Sequence, residues 1–390
     1  MRASRISLLC GFVAAAMGCG GNALEPVDAG VDAVAAVDLA ARLLDGAAPL
    51  PDLAAPAIPL DAATADRPSV DGTPGDLARP VDALPLPPMN LCRLPVPPGR
   101  SPPPPPPKYS GGACPKLVPG SNTILSGGAK RSFLLAVPKN FDAKEQPPLL
   151  FLWHWLGGSA NSFYTKGEIQ AAVDGQRFIA VLPEAKGDLL FKWPFEAVQL
   201  QARMDEEFRF FDDLYACVGA QFGVNPNCVA SAGVSAGALF TDQLAAARGQ
   251  YLASALSLSG GTGGLIRPFG NPEHRLPFLV LWGGPSDACF GVMNFDTGSR
   301  TLEAALGDRG HFFLECVHNC GHSEPPLDAP QGLSRYAALW QFVFDHPYWL
   351  APGESPYRQH GLPKVYPSWC GIGPKSAPPR QGACANKPGC

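Results

Sequence analysis

The stretch Asn227-Cys228-Val229-Ala230-Ser231-Ala232-Gly233-Val234-Ser235-Ala236-Gly237-Ala238-Leu239-Phe240 decides how this chain reads. Up to Ala232 it is short, apolar and bounded by turn-forming residues, the pattern of a buried strand. From Ala236 to Arg248 it reads as a helix. Between the two lies Gly233-x-Ser235-x-Gly237. Strand, tight turn and helix form the context in which such a pentapeptide holds a serine at the tip of a strained elbow. Bulk on either side of Ser235 would collide with the neighbouring strand and helix, hence the two glycines. In a chain with 43 glycines among 390 residues the pentapeptide alone is a weak signal, and the flanking pattern is what gives it meaning.

Outward from the elbow, apolar runs suited to strands covered on both faces recur at 132–137, 149–154, 178–182, 228–232, 253–259, 278–282 and 311–317. Helical patterns fall between most of them. Residues 205–221 carry Phe208, Phe211, Leu214, Tyr215 and Val218 at helical spacing, and 333–346 carry Tyr336, Leu339, Trp340 and Phe344. Strands alternating with helices predict an α/β fold with a mostly parallel, doubly wound sheet.

Acyl transfer by a serine needs a base for the hydroxyl proton, a carboxylate to orient that base, and N–H donors for the oxyanion. In one known chain order the acid and then the histidine follow the serine, each in a loop after a later strand. Asp287 fits the acid. It stands 52 residues after Ser235, in Gly283-Gly284-Pro285-Ser286-Asp287, just past the strand at 278–282. Its rivals Asp296 and Asp308 follow no strong strand directly, and a simple turn role is the bland alternative for Asp287 itself. His322 fits the base, 35 residues later, beyond the strand at 311–317 and before the last helix. His318 competes with it from the same strand end. The oxyanion donors expected are the backbone N–H groups of Ala236, next to the nucleophile, and of Leu156, in the loop His154-Trp155-Leu156-Gly157-Gly158-Ser159. His154 reads as a structural histidine bonded to loop backbone.

Residues 154–159, the pentapeptide 233–237, Asp287 and His322 together resemble the secreted esterase family of polyhydroxybutyrate depolymerases and feruloyl esterases. The stretch 149–159 is similar to that family's strand and His-Gly-x-Gly-Gly-Ser loop, and Pro226-Asn227-Cys228-Val229 to its approach to the nucleophile. The likeness spans about residues 118–345. It implies an α/β-hydrolase fold, serine carboxylesterase activity without a cofactor, and Ser235, Asp287 and His322 as the triad. It also implies an ester substrate, such as a polyester oligomer or a feruloyl or acetyl ester of a polysaccharide. The sequence departs from the family at Trp155 and Ala238, where glycine is common. Trp155 places a large ring by the oxyanion loop. That ring must either line the substrate pocket or lie against the loop's far side.

The rest of the chain speaks to location. Arg2 and Arg5 precede an apolar run, 6–16, that is too short to anchor in a bilayer, and Ala16-Met17-Gly18-Cys19 is similar to a bacterial lipobox. This predicts a signal peptide over 1–18 and a lipidated Cys19, hence an exported outer-membrane or cell-surface lipoprotein that meets the membrane only through its lipid. An ordinary secretory signal with an incidental cysteine is the alternative. Residues 20–90 hold ten Asp and one Glu against three Arg, no aromatic occurs from Cys19 to Lys108, and Pro102 to Pro107 is a run of six prolines. Such a stretch cannot bury enough apolar surface to offset the entropy of ordering, so 19–113 is expected to be a disordered Ala/Asp/Pro-rich linker. The catalytic domain is expected at 114–350, with a Pro/Gly/Cys-rich tail at 351–390 stapled onto it.

A net charge of −4 excludes the basic face that a nucleic-acid partner needs. Twelve cysteines less Cys10 and Cys19 leave ten, an even count that in an exported chain reads as disulfides. Cys316 and Cys320 with His322 have no second pair at a zinc-site spacing, so no metal is expected. Cys217 with Cys228 is one candidate bridge. Cys320 has two candidate partners, Cys289 and Cys316. The competing functions are a serine peptidase on the same three groups and a non-catalytic surface-binding lipoprotein.

Overall fold

The computed structural model describes residues 89–385. The expected signal peptide, the lipidation residue Cys19 and the linker as far as residue 88 lie outside the described residues.

Nine strands form one sheet: β1 (Gly120–Ser126), β2 (Ala129–Ala136), β3 (Leu149–Trp153), β4 (Ile179–Pro183), β5 (Val229–Val234), β6 (Ser254–Leu258), β7 (Phe278–Trp282), β10 (Phe313–Val317) and β11 (Cys370–Ile372). The two remaining strands, β8 (Ala288–Cys289) and β9 (Met293–Asn294), make a small hairpin. The order across the large sheet is β1-β2-β4-β3-β5-β6-β7-β10-β11. From β4 to β10 all neighbours are parallel, while β1, β2 and β11 pair antiparallel at the edges. The mostly parallel α/β sheet expected from the sequence is therefore the one observed.

The helices are α1 (Ala160–Lys166), α2 (Ile169–Gln176), α3 (Gln201–Phe222), α4 (Ala236–Arg248), α5 (Phe295–Asp308), α6 (Ala337–Asp345) and α7 (Pro356–His360). Strand side chains alternate between two apolar layers. Leu149, Phe151 and Trp153 of β3 face the cluster that includes Phe211 of α3, Phe240 of α4 and Leu302 of α5. Leu150 and Leu152 face the cluster that includes Phe163 of α1, Val173 of α2 and Phe342 of α6. Burial on both faces explains why the strands read as continuous apolar runs rather than as alternating ones.

Part of the expected linker lies on the domain. Cys92 is buried and bonded to Cys228, and the Asn225 side-chain amide donates to the Cys92 carbonyl at 2.7 Å. Ser110 donates its N–H and hydroxyl to the buried Asp213 carboxylate at 2.6 and 2.7 Å, and Cys114 is bonded to Cys217. Covalent links and a buried carboxylate in need of donors hold a segment too poor in apolar residues to dock by burial alone.

These pairings correct the expected Cys217–Cys228 bridge. The two alternatives for Cys320 fail as well, because Cys320 is bonded to Cys384 and Cys316 to Cys370. Cys289 is also disulfide-bonded. Spacing along the chain favours near partners, whereas each of these bridges spans at least 54 residues and is set by which segments the sheet brings together. Cys316 and Cys370, for example, sit directly opposite each other on β10 and β11. The tail is thus more than stapled on, since it supplies an edge strand. Among the described residues, no helix is long and apolar enough to cross a membrane.

Candidate active site

The C-terminal ends of β5, β7 and β10 carry the three residues singled out from the sequence. β5 ends at Val234, and Ser235 follows with φ 56° and ψ −120°, directly ahead of α4. That positive φ is costly for a residue with a side chain and persists only where the surroundings enforce it. Here they do so by close approach. A Cβ on Gly233 would run into the Gly237 carbonyl, and one on Gly237 into the Trp153 carbonyl. The elbow is pressed against both its own helix and the end of β3, so any larger residue at either position would push it open.

Asp287 follows β7 through a short 3-10 turn, and His322 follows β10. The His322 Nδ1–H donates to Asp287 Oδ1 at 2.7 Å, and the Ser235 hydroxyl reaches His322 Nε2 at 2.9 Å. The two loops are tied by the Gly321 N–H donating to the Gly283 carbonyl at 3.0 Å. Asp287 is fully buried, while the His322 side chain keeps 12% exposure, so the path opens to solvent only at its reactive end. The other Asp287 oxygen, Oδ2, accepts from the Gly283 N–H and from the Ser259 hydroxyl, each at 2.7 Å. Phe295, first in α5, stacks on the imidazole at 4.4 Å with 13° between the planes. It holds the ring flat while both nitrogens stay bonded.

The rivals are placed elsewhere. His318 is buried, accepts from the Cys320 N–H at 3.2 Å, and lies edge-on to Trp369. Burial pushes its imidazole down to about 4, so it is neutral at physiological pH. Asp296 accepts from the Trp282 indole at 2.8 Å and pairs with Arg300. Asp308 ends α5 and is exposed.

Ala236 heads α4, where the first N–H groups of a helix have no intrahelical partner and the dipole favours negative charge. It is the backbone donor expected there. Leu156 is half-buried against the same apolar cluster as Trp153 and Phe240. Trp155 goes the other way. Its ring lies edge-on to Phe163 at 6.0 Å, with the Lys166 ammonium 5.3 Å from its centre, both on α1. His154 is fully buried, with Nδ1 2.9 Å from the Trp155 carbonyl and Nε2 3.5 Å from the Glu184 carboxylate, and its own carbonyl accepts from the Trp193 indole at 2.8 Å. Those contacts are structural, as read from the sequence.

Sequence reasoning missed Ser259 and Phe295. Ser259 lies in Ser257-Leu258-Ser259-Gly260-Gly261, where a serine beside a glycine pair looks like an ordinary strand end. Among the described residues, no cluster of three His, Cys, Asp or Glu side chains has the arrangement of a metal site.

No protein-family model matches the sequence, and no curated protein matches it. Solved structures do share the fold. A pOPH variant in complex with DMSO is 16% identical, with a TM-score of 0.54 over 68% of this chain and 97% of that one. Native pOPH is 18% identical (TM-score 0.52, 68% and 98%), and native sOPH is 17% identical (TM-score 0.51, 68% and 97%). At such identities the likeness is one of fold, and the fold is that of the α/β-hydrolases.

Proposed function

We propose that this chain is an exported serine carboxylesterase that works through an acyl-enzyme. One observation carries the reading: an unbroken hydrogen-bonded path from buried Asp287 through His322 to Ser235 on a left-handed elbow. In that arrangement His322 Nε2 takes the hydroxyl proton as Ser235 Oγ attacks the ester carbonyl. Asp287 keeps Nδ1 protonated and stabilises the imidazolium that forms. The N–H groups of Ala236 and Leu156 receive the oxyanion. The imidazolium then protonates the leaving alcohol, and water repeats the sequence on the acyl-enzyme to release the acid.

The substrate classes that suit this reading are hydroxyalkanoate polyesters or oligomers and feruloyl or acetyl esters of polysaccharides. Export with lipidation at Cys19 belongs to the same reading. It draws support from the N-terminal pattern and from four disulfides among the described residues, which are bonds of an oxidising compartment. In a lipoprotein, Cys19→Ser releases the chain from membranes, and an unmodified N-terminus elsewhere in the intact mass overturns the assignment.

The deciding experiment is labelling with a fluorophosphonate, followed by peptide mapping and turnover of p-nitrophenyl butyrate. The expected result is a single adduct on Ser235, with Ser235→Ala lowering kcat by about 10⁴-fold or more while the fold is kept. An adduct without ester turnover points to a peptidase, and no adduct points to a binding protein. A panel of hydroxybutyrate oligomers, methyl ferulate and acetyl-xylan then separates the substrate classes.

A further inference from the structure

A serine that no part of the three-residue path requires sits against its buried end. Ser259 follows the last residue of β6 and is held at φ 52°, in the left-handed region that disfavours a side chain. It is 7% exposed, its N–H donates to the Leu281 carbonyl at 2.6 Å, and its hydroxyl donates to Asp287 Oδ2 at 2.7 Å. The strained backbone therefore directs one hydroxyl at one oxygen.

The turn that carries Ser259 is anchored from the nucleophile's own helix. Asp242 lies on α4, seven residues past Ser235 and so two turns along the same face. Its Oδ2 accepts from the Gly261 N–H at 2.8 Å and from the Ser257 hydroxyl at 3.0 Å, one bond on each side of Ser259. Helix α5 holds the same turn from across the layer, through the Thr262 N–H to the Gly298 carbonyl at 3.1 Å. Burial pushes the Asp242 carboxyl well above the usual carboxylate range. The anchor is then neutral and adds no second negative charge beside Asp287. The result is a closed circuit from Ser235 along α4 to Asp242, through the Ser257–Gly261 turn to Ser259, then to Asp287, His322 and Ser235 again.

We infer that Ser259 is a positioning residue for Asp287: its hydroxyl fixes the rotation of the carboxylate so that Oδ1 stays in line with His322 Nδ1. A carboxylate bonded at Oδ2 by the Gly283 N–H alone can pivot about that bond. The second donor removes the pivot. The inference deepens the proposed hydrolase chemistry and, in its kinetic part, rests on it.

The test compares Ser259→Ala, Ser259→Gly and Ser259→Thr in the full chain, alongside wild type. Alanine and glycine both delete the hydroxyl, but glycine also relieves the left-handed backbone, so the two separate hydroxyl from strain. Loss of a charge-assisted hydrogen bond that orients the base predicts a fall in kcat of roughly tenfold for both, with KM changed less than about twofold. Threonine keeps a hydroxyl and restores most of the rate. The second readout is the far-downfield proton resonance of the His322 Nδ1–H, which needs no turnover. It shifts or broadens in the alanine and glycine variants and returns in the threonine variant.

Glycine or alanine variants with wild-type kcat and an unchanged resonance overturn the inference, as does a loss confined to KM. A glycine variant that works while alanine fails assigns the effect to strain and also overturns it. A wild-type protein with no ester turnover removes the esterase reading alone, because the resonance still decides whether Ser259 positions Asp287.

Discussion

At Trp155 one ring decides between two accounts of substrate choice. The residue begins the loop that follows β3, where a large side chain either narrows the acyl pocket or packs away from it. The structure has it on α1, against Phe163 and Lys166. A ring so placed contributes to stability through apolar and cation contacts and has little leverage on acyl length. Trp155→Ala is therefore expected to lower the melting temperature by a few degrees and to leave the ratio of p-nitrophenyl acetate to octanoate turnover within about threefold. A tenfold change in that ratio would place the ring in the pocket. His318 and His322 make the companion case. They lie four residues apart and share a strand end, yet one is buried against Trp369 while the other stacks on Phe295 and meets both Asp287 and Ser235. Nothing local to either residue makes that distinction.

Among the elements, the C-terminal segment has the most direct hold on the site. β11 extends the sheet beside β10, and the buried Glu315 of β10 accepts from the N–H groups of Lys375 at 3.0 Å and Ala377 at 2.7 Å. Asn319 donates to the Gly382 carbonyl at 3.2 Å, and Cys384 is bonded to Cys320, two residues before His322. The histidine loop is thus gripped by the tail on one side and by Gly283 of the acid loop on the other. Because effective catalysis depends on sub-ångström placement of the base, freeing that grip should cost activity before it costs the core. A titration with dithiothreitol is expected to lower p-nitrophenyl butyrate turnover roughly tenfold while near-ultraviolet circular dichroism stays native. Activity and dichroism falling together would assign the bridges to stability alone. The Cys320→Ser, Cys384→Ser double variant should reproduce the early phase.

For the whole molecule, the ionisable groups enclosed by the two layers shape its stability against pH. Glu303 of α5 is 2% exposed, and burial, followed by the nearby Glu315 carboxylate, pushes it from an ordinary 4.5 up to about 8. A carboxyl whose folded value is raised contributes stability that is fully present below about 4.5 and is lost as pH rises toward 8. Glu303→Gln is therefore expected to melt a few degrees above wild type at pH 8 and to match it near pH 4.5. A variant that melts below wild type at pH 8 would refute the assignment. On the acid side, burial pushes His346 down to about 3 and His311 to about 4. Their contribution is present above an ordinary 6.5 and is lost as pH falls through those values.

What the sequence by itself determined is everything that depends on near neighbours. Uninterrupted apolar runs specified strands covered on both faces, and β7 matches its expected 278–282 residue for residue. The sterics of Gly233 and Gly237 specified the elbow, and the order of strand ends specified which loops carry Ser235, Asp287 and His322. Strand β1 was also legible, through the Gly127-Gly128 turn that joins it to β2, but its polar, half-exposed residues hid it among loop signals. Only the tertiary structure decided the cysteine pairings, the docking of 89–113, the edge strand β11, and Ser259 as a donor to Asp287. Each of these joins segments far apart in the chain. Periodicity and turn sterics act within a few residues, whereas a bridge or a buried hydrogen bond forms wherever the completed sheet leaves two distant groups within reach and shut off from water.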